Sequence, residues 1–118
     1  MTEPRSHRIF STPFAAIYPL YVQKVARKGR TRAELDAVIG WLTGFDAAEL
    51  DHHLGARTTM EDFFAAARLH PSAGNVTGLV CGVRVEGIED PRMRRIRILD
   101  KLVDELARGR ALEKVLRA

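Results

Sequence analysis

The sequence predicts an all-α fold: a compact array of about five to seven short helices, the last a long one near residues 91–108. Two observations carry this prediction. Three times a Thr or Asp is followed three residues later by Glu, ahead of an apolar run: Thr31…Glu34, Asp46…Glu49 and Thr58…Glu61. In such a capping box the first side chain accepts from an orphan backbone N–H, and the Glu accepts from the cap's own N–H. The second observation is helical spacing of apolar residues. Phe14, Ile17, Tyr18, Tyr21, Val22 and Val25 form one stripe, and Ile96, Leu99, Val103 and Leu106 another.

Taken in order, residues 1–10 read as a loose N-terminal leader to a single domain spanning residues 1–118. Thr12 caps the first helix, with Pro13 in its first turn. Pro19 falls inside that helix, removes a bond to the Ala15 carbonyl, and should kink or split it. Gly29 ends it. Thr31 opens a second helix burying Leu35, Val38, Ile39 and Leu42 and stopping at Gly44. Asp46 opens a short third helix, with a Phe45–Leu50 staple across its cap. Thr58 opens a fourth, burying Met60, Phe63, Phe64 and Ala67 and ending at His70-Pro71.

The segment from Asn75 to Ile88 supports two readings. As a strand, Leu79, Cys81, Val83 and Val85 alternate with Gly82, Arg84 and Glu86, and the β-branched content suits it. As a helix, Val76, Leu79, Val80 and Val83 share a face, and Gly78 and Gly82 permit close approach of another helix or of a second copy. The helix reading is preferred, because a lone strand leaves its backbone unpaired and no second strand is evident. Asp90 and Pro91 then start the long helix, and Gly109 stands past its end. Lys101–Glu105 and Asp104–Arg108 are opposite-charge pairs assigned to its outer face, and Ala111 to Leu116 adds a short terminal helix.

Composition narrows the function classes. The chain of 118 residues carries a formal charge of +4, but acidic residues are interleaved with most of the basic ones. A single cysteine, Cys81, excludes an internal disulfide framework and fits a reducing, cytoplasmic location. The apolar stretch from Phe14 to Val22 lacks a small-residue cleavage site and runs into Lys24, Arg27 and Lys28, so it reads as helix and not as a signal peptide. No segment has the roughly 20 apolar residues of a membrane span.

Several strings resemble one bacterial family. They are His7 to Phe14, Tyr18-Pro19-Leu20-Tyr21-Val22, Lys28-Gly29-Arg30-Thr31, Trp41 to Asp46, Thr77 to Val85, Ile88 to Pro91 and Leu99 to Ala107. On these runs the chain is similar to the family of domain of unknown function 2200, from His7 to about Arg117. The resemblance implies a small cytoplasmic domain and carries over no catalytic residue, ligand or cofactor.

Besides the Gly78 and Gly82 pair, four features are candidates for chemistry. Gly29 and the second helix have the spacing of a helix-turn-helix, in which Arg32 reads a base edge and Arg27, Lys28 and Arg30 hold phosphates. Glu34 and Asp36 on the same helix oppose that use. Arg92, Arg94, Arg95 and Arg97 point in different directions around a helix, which suits a solvated or internally paired face. Asp51-His52-His53 lacks the three- or four-residue spacing of helical metal ligands, so no metal site is assigned. Cys81 needs a neighbouring base or cation, such as Arg84, His7 or His70, to act as a nucleophile, and a small buried apolar role is expected instead. The aromatic residues Phe14, Tyr18, Tyr21, Trp41, Phe63 and Phe64 read as core. No catalytic residue and no cofactor is implied. The expected function is a protein-interaction or assembly module, with a homodimer as partner state. The rival readings are nucleic-acid binding, and an enzyme using Cys81 or a carboxylate.

Overall fold

The computed structural model describes residues 5–117, with side chains described from Arg8 onward. The elements are α1 (Arg5–Ser11), α2 (Phe14–Ala26), α3 (Arg32–Thr43), α4 (Ala47–Gly55), α5 (Met60–Ala66), β1 (Leu79–Val80), β2 (Val83–Arg84), α6 (Pro91–Ala107) and α7 (Leu112–Val115). The fold is all-α apart from one two-stranded hairpin. No described helix is long and apolar enough to cross a membrane.

The long helix α6 is the hub, packing against α2, α3, α5, α7 and the hairpin. Its stripe of Ile96, Leu99, Val103 and Leu106 is buried, as are Phe14, Tyr18, Tyr21 and Val25 of α2. Phe14 and Phe63 stack with centroids 3.9 Å apart and are both fully buried, each worth about 1.5–3 kcal/mol in apolar transfer. The expected aromatic core is therefore present, although Trp41 lies only half inside and stacks on His70.

Where helix ends are set by local chemistry, expectation and structure agree. Thr31–Glu34 and Asp46–Glu49 are complete capping boxes, Asp90 caps α6 with Pro91 in its first turn, and Gly44 closes α3. Thr12 and Thr58 need correction. A backbone bridge joins Pro13 to Thr59: the Phe14 N–H donates to the Thr58 carbonyl and the Met60 N–H to the Thr12 carbonyl, both at 2.8 Å. The first donor of α2 is thus satisfied across the chain, so Thr12 makes no cap and its hydroxyl donates to Arg8 O instead. Thr59, one residue late, caps α5 through the Asp62 N–H, and no Thr58–Glu61 box forms.

Other differences share this tertiary origin. Residues 5–10, expected as a leader, belong to α1, which packs on α5 and buries Phe10. Residues 1–4 lie outside the described residues. Helix α5 ends at Ala66, well before His70, because Arg68 and His70 donate their N–H groups to Thr43 and Leu42 at the end of α3. Pro19 neither splits nor ends α2. Pro19 is exposed and Ala15 partly so, so the ring falls outside the buried stripe, which stays intact.

The preferred helix over 76–86 is wrong. Antiparallel β1 and β2 pair Leu79 with Arg84 and Val80 with Val83, around the two-residue turn Cys81-Gly82. Both turn residues have positive φ, +50° for Cys81 and +77° for Gly82, as a type I′ hairpin requires. The strand's backbone partner is its own continuation. Gly78 faces the Lys101 side chain, not another helix, and Lys101 Nζ donates to the Leu79 carbonyl at 3.0 Å. Lys101–Glu105 is not on the outer face either. Glu105 is buried beneath the returning C-terminus, where Arg117 bonds both its oxygens at 2.5 and 2.6 Å.

Candidate functional site

The two tyrosines of the chain, three apart on the buried stripe of α2, each meet a carboxylate–arginine pair. Tyr21 donates its hydroxyl to Asp100 Oδ1 at 2.5 Å, and Arg97 holds the other Asp100 oxygen at 2.9 Å. Tyr18 donates to Asp36 Oδ1 at 2.6 Å and accepts from Arg32 Nε at 2.7 Å. Burial and the neighbouring carboxylate push the Tyr21 hydroxyl well above its ordinary 10.0. Burial and the Asp36 hydrogen bond raise Tyr18 to about 12. A phenol whose proton is held this firmly is a poor acid near neutral pH, which argues against proton transfer by either tyrosine.

The Tyr21 arrangement forms the polar end of a groove of about 330 Å³ between α1, α2, α5 and α6. Ile9, Ile17, Met60 and Ile96 supply its apolar lining, and Leu20 stands at its side 57% exposed. With Leu79 and Val83 of the hairpin, Leu20 is among the few large apolar side chains left in water.

The residues singled out for nucleic acid are divided by the fold. Arg27 and Lys28 are exposed at the end of α2 and line a separate groove. Arg30 is held by Glu34 at 2.8 Å, and Arg32 by Tyr18 with Asp36 at 4.0 Å. Of the arginine run, Arg92 bonds Glu61 and Asp90 and lies over the Phe10 ring, Arg95 donates to Phe64 O, and Arg97 belongs to the Tyr21 group. Arg94 is half-buried with its Nε unpartnered.

His52 is exposed, whereas His53 packs on Phe45 and Phe63 with Nδ1 2.9 Å from Thr58 Oγ1. Burial, then the charge of His52, lowers the His53 pKa from 6.5. No group of three His, Cys, Asp or Glu among the described residues is arranged to hold a metal ion. Cys81 corrects another expectation, for it is exposed at the hairpin tip and not buried. Of its suggested bases, His70 is engaged with Trp41 and the Ser72 N–H, and the His7 side chain lies outside those described.

Sequence reasoning misses Asp36 and Asp100 as site residues and reads Arg97 only as one member of the arginine run. A signal existed: buried tyrosine hydroxyls need partners, and two lie on the stripe of α2. Sequence spacing shows the rings facing inward but not which carboxylate meets each hydroxyl.

The arrangement defines a small, mostly helical protein with shallow surface grooves and locked buried tyrosines. The chain belongs to the family described as "uncharacterized protein conserved in bacteria (DUF2200)", whose family model matches residues 8–117. It is also similar to the solved structure titled "Crystal structure of uncharacterized protein SP1917", at 40% identity, over 97% of this chain and 94% of that one, with a TM-score of 0.89. No curated protein matches it. The family is of unknown function, so activity is argued from geometry alone.

Proposed function

We propose that the protein is a cytoplasmic assembly module that forms a symmetric homodimer through the face around the α2–α6 groove. The observation that carries this is an exposed apolar knob, Leu20, beside the apolar groove that it helps to line. A two-fold interface is self-complementary: the knob of each copy fills the hole of the other. Arg97 and Asp100 give the groove a polar end, and an apolar centre with a polar rim is the usual make-up of an interface. Tyr21, fixed through Asp100, keeps that end rigid, so little ordering is needed on association. A single cysteine, which leaves no internal disulfide to form, fits the cytoplasmic location.

Light scattering over a concentration series tests the proposal. The wild-type chain should have the mass of a dimer, Leu20→Glu that of a monomer, and Leu20→Met that of a dimer again. Leu20 is exposed, so the Glu variant should keep its helical dichroism. A monomeric wild type at up to roughly 1 mM, where association is worth only about 4 kcal/mol, sinks the idea.

A further inference from the structure

The C-terminal ends of α2 and α6 lie side by side and enclose a groove of about 410 Å³, lined by Lys24, Arg27, Lys28, Asp104, Ala107 and Arg108. We propose that this groove binds the phosphate chain of a small di- or triphosphate-bearing molecule.

Lys24, Arg27 and Lys28 stand at i, i+3 and i+4, so they share one face of α2. Arg108 joins them from the end of α6. A single carboxylate, Asp104, serves both sides, bonding Lys24 at 3.3 Å and Arg108 at 2.9 Å. Neither Arg27 nor Lys28 makes an ion pair with a described residue. The groove therefore holds four cations and one carboxylate, with two of the cations unpaired among the described residues.

The ordinary use of cations at a helix C-terminus is to bond the last carbonyls and offset the dipole. Here the backbone already bonds two of those carbonyls at each end. In α2 the Arg30 N–H donates to Val25 O and the Gly29 N–H to Ala26 O; in α6 the Arg110 N–H donates to Glu105 O and the Gly109 N–H to Leu106 O. Both ends are Schellman motifs, closed by glycines at φ +76° and +95°. The dipoles leave about half a negative charge each, less than the cationic excess. Arginine and lysine together suit phosphate oxygens, the guanidinium as a fork and the ammonium as a point charge.

The positive region is local. Arg30 and Arg32, next along the chain, are tied to Glu34 and to Tyr18 with Asp36. Asp36, Asp46 and Asp51 line the groove between α3 and α4. A nucleic acid needs a continuous basic track for successive phosphates, and this surface interrupts it with carboxylates. A short chain of linked phosphates places several charges within one groove.

Calorimetric titration at low salt with orthophosphate, pyrophosphate and tripolyphosphate tests the proposal. Affinity should rise with each added phosphate and fall with salt. The paired substitution Arg27→Glu/Lys28→Glu should weaken tripolyphosphate binding by about tenfold or more, as loss of charge-assisted hydrogen bonds implies. Arg57→Glu/Arg84→Glu, the same charge change elsewhere on the exposed surface, should leave it unchanged. A nucleoside triphosphate that binds as well as tripolyphosphate assigns recognition to the phosphate chain, and tighter binding adds a base contact to it. Leu20→Glu should also bind normally, which separates this site from the dimer face. Absence of binding at millimolar tripolyphosphate overturns the proposal, as does equal loss in the control variant. Tighter binding to oligonucleotides that strengthens with their length replaces it with a nucleic-acid surface.

Discussion

Removing one hydroxyl from each tyrosine separates a buried charge-assisted hydrogen bond from a wetter one. Tyr21 and Tyr18 make bonds of nearly equal length, 2.5 and 2.6 Å, to Asp100 and Asp36. Their acceptors differ: the Asp100 side chain is 17% exposed and that of Asp36 37%. A hydrogen bond to a charged group contributes roughly 1.5–3 kcal/mol net, and less where water competes for the acceptor. Tyr21→Phe should therefore cost about 2 kcal/mol and Tyr18→Phe about 0.5–1 kcal/mol. In urea, with a slope of about 1–3 kcal/mol per molar, the first moves the midpoint by about 1 M and the second by half of that or less. A double-mutant cycle of Tyr21→Phe with Asp100→Asn should give a coupling of about 1–2 kcal/mol. The alkaline limb gives a second reading. Both phenols are raised above 10.0, so the stability they contribute is complete below pH 10 and is lost as pH climbs through the folded-state values, about 12 for Tyr18. Phenolate absorbance should accordingly rise late and together with unfolding. A Tyr21→Phe protein within about 0.3 kcal/mol of the wild type refutes the reasoning, as does a larger cost for Tyr18→Phe.

Two further substitutions probe the other unexpected elements. Cys81 has φ +50° in the hairpin turn, a conformation that costs a side chain roughly 1 kcal/mol, so Cys81→Gly should raise the urea midpoint and Cys81→Val lower it. The exposed native thiol should also be alkylated nearly as fast as in the unfolded chain, and protection would contradict its placement. Glu105 pairs with Arg117, with Arg110 at 3.4 Å and with Lys101 at 4.0 Å. Glu105→Ala strands these cations and should cost about 3 kcal/mol while freeing α7 for proteolysis at Lys114. A loss below about 1 kcal/mol would mean that the cluster is dispensable.

What the sequence makes legible is whatever is settled within a few residues. Thr31 with Glu34, Asp46 with Glu49, and Asp90 with Pro91 need no distant partner, and each sits where the spacing predicts. Thr12 and Thr58 have equally good local credentials but are overridden by a bridge between segments far apart in the chain. Glu105 shows the same limit. Its four-residue spacing from Lys101 suits a solvated pair, and only the fold-back of Arg117 turns that face inward. The tyrosines were legible as rings and illegible as hydroxyls: periodicity finds a buried face, whereas Asp100 lies far along the chain from Tyr21.

The hairpin marks a different kind of error. A strand through Val83 is disfavoured in the sequence because no partner strand is evident elsewhere, yet its partner lies within the same run. Val80-Cys81-Gly82-Val83 has the form of a two-residue turn between valines, with Gly at the second positive-φ position. Cysteine at the first position hid the signal, since Asn or Asp stands there in the usual turn. The ladder is only two residues long on each side, too little to hold by itself. Lys101 bonding the Leu79 carbonyl, the Val85 N–H bonding Gly78 O, and buried Val80 and Val85 tie it to α6 and its own base. Local pattern alone could not have decided for it, because its stability comes from a helix that starts after it in the chain.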